Sequence, residues 1–235
     1  MAATFGLISE GITDQIVIEN ILVGYYNSKN IIIDMLQPLR DETDENLATS
    51  DGNWHKVFEY CKSKQFRAAF SVREDYYVII QLDTDFLFTE HYSKEDYPIK
   101  THDASNVRLS VKDLVRSVVD FFIQLIGETF YEKYKEQIIF AISVDSLECW
   151  LLPIYFTDNK KNKITNCLTT LNTALVKKYE FSISEKNPDY YRTTSKPYQK
   201  HKFLLQKYKY NPSFEVFIED LKQRGIVVED EEEDW

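Results

Sequence analysis

The stretch "DYYVIIQLDTDF", residues 75–86, decides how this chain is read. Tyr76 to Leu82 is its most strand-like run, apolar enough to be buried on both faces, as strands of parallel sheets are. The run ends abruptly in Asp83-Thr84-Asp85. Upstream, "TFGLI" (4–8) reads as a short apolar strand, and "NIIIDMLQPL" as a strand at Ile31–Met35 that stops before Pro38. Downstream, "QIIFAISV" (137–144) is a further buried strand.

Helical spacing fills the gaps. Asp14 to about Tyr26 carries Ile16, Val17, Ile21 and Tyr25, with Thr13 as N-cap. A helix over Trp54–Gln65 puts Trp54, Val57, Phe58 and Cys61 on one face. A long amphipathic helix follows from Val107 to about Tyr134, and another begins in "DSLECWLLPIYF" before Pro153 stops or kinks it. The alternation of strand and helix predicts an α/β fold with a mostly parallel central sheet flanked by helices. The rest reads as a mainly helical C-terminal extension with a Lys/Tyr-rich loop at 184–202. The expected organisation is a core over 1–155, a basic, mainly helical region over 156–228 and an acidic tail over 229–235.

The net charge of −10 is unevenly spread. Residues 160–210 hold twelve Lys/Arg against three Asp/Glu, whereas 1–159 hold fourteen against twenty-six. The last seven residues, "EDEEEDW", hold six acids. Such segregation suggests an acidic half that collects cations and a basic half that meets phosphates. No apolar run reaches the roughly 18 residues that span a membrane, and the N-terminus lacks a signal peptide's basic region. Cys61, Cys149 and Cys167 are far apart and odd in number, fitting neither a zinc pattern nor a disulfide framework, so a reducing cytoplasm is the expected home.

Functional groups collect beyond the carboxyl ends of the strands in such sheets. Here those ends carry Glu10 with Asp14, then Asp83 with Asp85, then Asp145 with Glu148. Parallel strands would bring them to one edge. Crowded carboxylates repel one another and raise each other's pKa; Mg²⁺ (or Mn²⁺), a hard ion preferring oxygen ligands, removes that difficulty. Two such ions activate a water and stabilise the leaving oxygen of a phosphodiester. Thr84 is expected to point away from its flanking aspartates, and Gly11 to permit a sharp turn and close approach of a phosphate. The plain alternative for each acid is structural, as a turn or first-turn helix residue.

The sequence "SEGITD", then "IIQLDTDF", then "SLECWLLPIY" resembles the Toprim (topoisomerase–primase) fold over roughly residues 5–155. More narrowly it is similar to the small defence-associated Toprim proteins and the overcoming-lysogenization-defect nucleases of bacterial anti-phage systems. The resemblance implies a catalytic Glu10, Asp83 and Asp85 as ligands of Mg²⁺, and Asp14 and Glu148 completing the metal site. It also implies an ABC-type ATPase partner, which must be a separate chain because no Walker A motif occurs here. The strand-passage domains of topoisomerases and the zinc domain of primases have no counterpart.

In "KNPDYYRTTSKPYQKHKFLLQKYKY" (186–210), Arg192, Lys196, Lys200, Lys202 and Lys207 alternate with Tyr190, Tyr191, Tyr198 and Tyr208. Cations there would contact phosphates and rings would stack on unpaired bases. Lys196 and Lys200 are the candidates for stabilising charge on a scissile phosphate; His201 is expected at the surface. The leading expectation is therefore a metal-dependent nuclease acting on DNA or RNA, with a homodimer as one assembly and no membrane. Its competitors are a non-catalytic Toprim-like binding or regulatory subunit, and a phosphotransfer domain using Asp83 as nucleophile.

Overall fold

The computed structural model describes residues 3–40, 54–71, 73, 75–184 and 187–228. The acidic, polar segment 40–52 reads from sequence as a loop; all of it beyond residue 40, and the acidic tail 229–235, lie outside these residues. Strands β1 (Thr4–Ile8), β2 (Ile32–Gln37), β3 (Tyr76–Asp83) and β4 (Ile138–Ser143) form one all-parallel sheet in the order β2-β1-β3-β4. The helices between them are α1 (Ile12–Tyr26), α2 (Trp54–Lys62), α3 (Lys64–Ala69), α4 (Val111–Ile126) and α5 (Glu128–Tyr134). After β4 come α6 (Glu148–Tyr155), α7 (Cys167–Tyr179), α8 (Pro188–Ser195), α9 (His201–Lys207) and α10 (Pro212–Arg224). The fold is α/β, with a parallel sheet flanked by helices and a mainly helical C-terminal part, as the alternation of elements predicts.

Because side chains alternate across a strand, each strand serves two cores. Val78, Ile80 and Leu82 of β3, with Ile138, Phe140 and Ile142 of β4, pack with Phe58 of α2 and Val118 and Phe122 of α4. Ile79, Ile139 and Ala141 face the other way, toward Ile18 and Ile21 of α1 and Trp150 of α6. The C-terminal helices belong to this second core: Tyr191, Tyr198, Leu204, Phe214 and Phe217 are all buried in it. Trp150 stacks on Phe214 at 4.8 Å between ring centroids, and its Nε1 donates to Ser213 Oγ at 2.9 Å.

Several boundaries differ from expectation, each for a local reason. The first helix starts at Ile12 with Gly11, not Thr13, at its N-cap, and no side chain caps it. The helix expected over 54–65 breaks at Ser63, whose Oγ accepts from the Phe66 amide and starts α3. The helix expected over 107–134 starts at Val111, capped by Ser110, and divides at Gly127, whose φ of 90° L-residues avoid. Pro153 does not stop α6, which continues to Tyr155. It sits in the last turn, where the lost amide removes one bond of a short helix.

The largest correction concerns 184–202, expected as a loop. It holds α8, a 3₁₀ turn over Lys196–Gln199 and the start of α9. Its polar composition hides an apolar face, Tyr191 and Tyr198, that is buried against α1. Asn20 of α1 donates from Nδ2 to Ser195 Oγ at 2.6 Å and accepts from Gln199 Nε2 at 2.6 Å. His201 Nδ1 meets the Gly24 carbonyl at 2.8 Å, so this half-buried side chain has a structural contact. Among the described residues, no helix is long and apolar enough to cross a membrane.

Candidate metal centre

The pleat decides which residues converge. Gln81 and Asp83 follow Ile79 at two-residue steps, so they share the face covered by α1 and α6. Ser143 pairs with Asp83 in the sheet register. Beyond β1, the chain turns through Ser9 and Glu10 into α1, whose first turn carries Asp14. Ser9 Oγ donates to the Gly11 carbonyl at 2.9 Å and steadies this turn. Glu10 crosses to the neighbouring strand: its Oε1 accepts from the Asp83 amide at 2.9 Å. Glu148 opens α6.

Glu10, Asp14, Asp83 and Glu148 are all buried, whereas Asp85 is exposed at the rim, on a 3₁₀ turn. Burial holds the Asp83 carboxyl well above the usual carboxylate range, and Asp14, Glu10, Asp85 and Glu148, in that order, push it further. Asp83 thus lies within electrostatic reach of the other four acids picked from the strand ends. Gln81 Nε2 donates to Asp83 Oδ1 at 2.9 Å. Two buried oxygens near Asp83, Gln81 Oε1 and Ser143 Oγ, have no hydrogen-bond partner among the described residues.

The loops after β3 and β4 interlock. The Thr84 amide donates to the Ser143 and Asp145 carbonyls at 3.0 and 3.1 Å, and the Asp85 amide to the Asp145 carbonyl at 3.0 Å. In return the Asp145 amide donates to Thr84 Oγ1 at 2.9 Å. This keeps buried Thr84 bonded to the neighbouring loop and sets Asp83 and Asp85 at the strand end. Asp145, at φ 69°, serves a different purpose. Burial raises its carboxyl, while the Asn166 and Cys167 amides at the start of α7 favour the ionised form.

Gly11 needs no unusual backbone, since its φ is −151°. A Cβ there would meet Asp14 Oδ2 at 3.4 Å, an ordinary contact, so the fold does not demand glycine at this turn.

Cys149 and Cys167 are joined by a disulfide, contrary to the expectation from their spacing. The starts of α6 and α7 lie side by side, a proximity that a sequence separation of 18 conceals. Among the described residues, Asp145, Cys149 and Cys167 are the one set whose ligand atoms lie within 4.8 Å of one another, and the disulfide removes its thiols from metal binding.

The basic segment behaves differently. Lys196 and Lys200 are exposed and form no ion pair among the described residues. Arg192 is exposed and pairs with Asp189. Lys202 is exposed, and Lys207 lies over the Phe203 ring at 5.3 Å. The tyrosines expected to stack on bases are mostly interior: Tyr191, Tyr198 and Tyr208 are buried. Tyr190 is half-buried and stacks on Phe181 at 4.5 Å. Sequence reasoning missed the group that joins this segment to the acids. The buried Tyr191 hydroxyl donates to Glu148 Oε1, and burial and then Glu148 hold its phenol well above the ordinary range.

No protein-family model, curated protein or solved structure matches this chain.

Proposed function

We propose that this protein is a metal-dependent phosphodiesterase that cleaves nucleic acid. The observation that carries the reading is Asp83, a buried carboxyl pressed by four other acids contributed by separate elements. A fold spends stability on such a cluster, because each added charge raises the free energy of ionising the next. Hard oxygen donors match Mg²⁺ or Mn²⁺, and the orphaned Gln81 and Ser143 oxygens suit a bound hydration shell. Glu10, Asp14, Asp83, Asp85 and Glu148 are the residues that would hold the ion. When bound, it would supply an activated water and charge stabilisation at a phosphoryl oxygen. The chain's own residues orient the acids: the Asp83 amide fixes Glu10, Gln81 fixes Asp83 and Tyr191 fixes Glu148. Exposed Lys196, Lys200 and Lys202 would meet the phosphate backbone.

The resemblance to defence-associated Toprim nucleases adds a biological setting: an anti-phage effector working with a separate ABC-type ATPase, with a homodimer as one assembly. A cytoplasmic home belongs to the same reading, and the Cys149–Cys167 bond counts against it, since disulfides persist in oxidising compartments. Alkylating thiols during lysis decides that point: all three cysteines blocked would support a reducing compartment, and one blocked would not.

The activity test is cleavage of labelled plasmid, single-stranded DNA and transfer RNA with Mg²⁺ or Mn²⁺, beside Glu10→Gln. Cutting that needs metal and is lost in Glu10→Gln supports the nuclease and names its substrate. Cutting that survives in Glu10→Gln counts against it. Metal binding without cutting favours the regulatory subunit.

Stability gives a second check. A carboxyl raised in the folded state contributes stability below its unfolded range, and that contribution is lost as pH rises through its folded value. Through Asp83, the melting temperature of the metal-free protein should therefore fall as pH rises above the usual carboxylate range, and Asp83→Asn should flatten that fall. At pH 7, metal at a hundred times its Kd should return about 2.7 kcal/mol. For a chain of this size that is a rise of roughly 5–10 °C in Tm. No rise with Mg²⁺ or Mn²⁺ would remove the metal from the reading.

A further inference from the structure

Resting on the metal-centre reading, we infer that Tyr191 is a positioning residue of that centre and that α8 is the brace that sets it. Three contacts make α8 a bridge between the helices that carry Asp14 and Glu148. Ser195 accepts from Asn20 of α1, the Thr194 carbonyl accepts from the Tyr155 hydroxyl of α6 at 2.8 Å, and Tyr191 donates to Glu148. The buried face of α8 consists of Tyr191, Thr194 and Ser195, the residues that carry these contacts.

The geometry of the phenol makes it more than packing. Its hydroxyl donates to a buried carboxylate and lies within electrostatic reach of Asp14 and Asp83. One oxygen of Glu148 is thereby held by a hydrogen bond, which restricts how the carboxylate can turn. Partners of this kind around metal-binding groups typically govern affinity by about 10–100-fold. Tyr191 lies 43 residues beyond Glu148, in a segment whose composition pointed to surface phosphates instead.

The test is Mn²⁺ affinity, measured by calorimetry on the full chain without substrate. Tyr191→Phe removes the donor and keeps the ring. Thr194→Val changes the same buried face at a hydroxyl that has no hydrogen-bond partner among the described residues. The expected result is about tenfold weaker Mn²⁺ binding in Tyr191→Phe, with Thr194→Val unchanged. Unchanged binding in Tyr191→Phe would overturn the inference while leaving the metal centre intact. Equal losses in both variants would also overturn it, by reducing α8 to packing. Absence of Mn²⁺ binding in the parent chain would instead overturn the metal centre, and this inference with it.

Discussion

Asp83→Asn should abolish metal-dependent cleavage and, in the same molecule, raise the stability of the metal-free protein. The two effects have one cause. Ionised, Asp83 is a charge in a buried place where four other acids oppose it. Asparagine keeps the oxygen that accepts from Gln81 and the backbone that donates to Glu10, but it removes the opposed charge. The metal-free melting temperature near pH 7 should rise by about 2–4 °C for each kcal/mol of repulsion relieved. Loss of a charged ligand costs several kcal/mol of transition-state stabilisation, so cleavage should fall on the order of a thousandfold. The added stability from Mn²⁺ should shrink in parallel. A structural role for Asp83, as a turn or helix cap, predicts the opposite stability change. Calorimetry of both proteins with and without Mn²⁺ separates the two.

Gly24→Ala should be among the most damaging single methyl additions to this chain. In an exposed helix, alanine is worth about 1 kcal/mol over glycine. Here the new Cβ would stand 1.8 Å from the carbonyl oxygen of Tyr198 and 2.9 Å from its carbon. Backbone cannot swing aside as a side chain does, so α1 and the turn after α8 must part. The cost should exceed the helix gain and reach a net ~3 kcal/mol, the upper part of the usual range for overpacking. That corresponds to roughly 6–12 °C in Tm. The same shift would draw Tyr191 from Glu148, so Mn²⁺ affinity should fall as well. A melting temperature equal to or above that of the parent would show that α1 and the C-terminal segment are not locked by this contact.

The acids of the centre were legible because strand ends are legible. The apolar run of β3 stops at Asp83, and β1 stops just before Ser9 and Glu10. Once the strands are parallel, covalent geometry alone brings those ends to one edge. The phenol of Tyr191 was not legible. Its neighbours in sequence are polar and basic, and only the packing of α8 on α1 turns it inward. The disulfide was hidden for the same reason, since Cys149 and Cys167 meet through the packing of two helix starts. Asp145 showed the converse, a strand-end acid that the fold diverts to the start of α7.

By itself, the sequence determined the α/β class, the four strands and which strand ends carry acids, because hydrophobic period and strand termination are local properties of the chain. Only the tertiary structure decided that Asp83 is buried and Asp85 exposed, that the basic segment is helical with its tyrosines inside, and that Tyr191 closes on Glu148. Those outcomes depend on which surfaces must be removed from water together, and burial is settled between elements far apart in the chain.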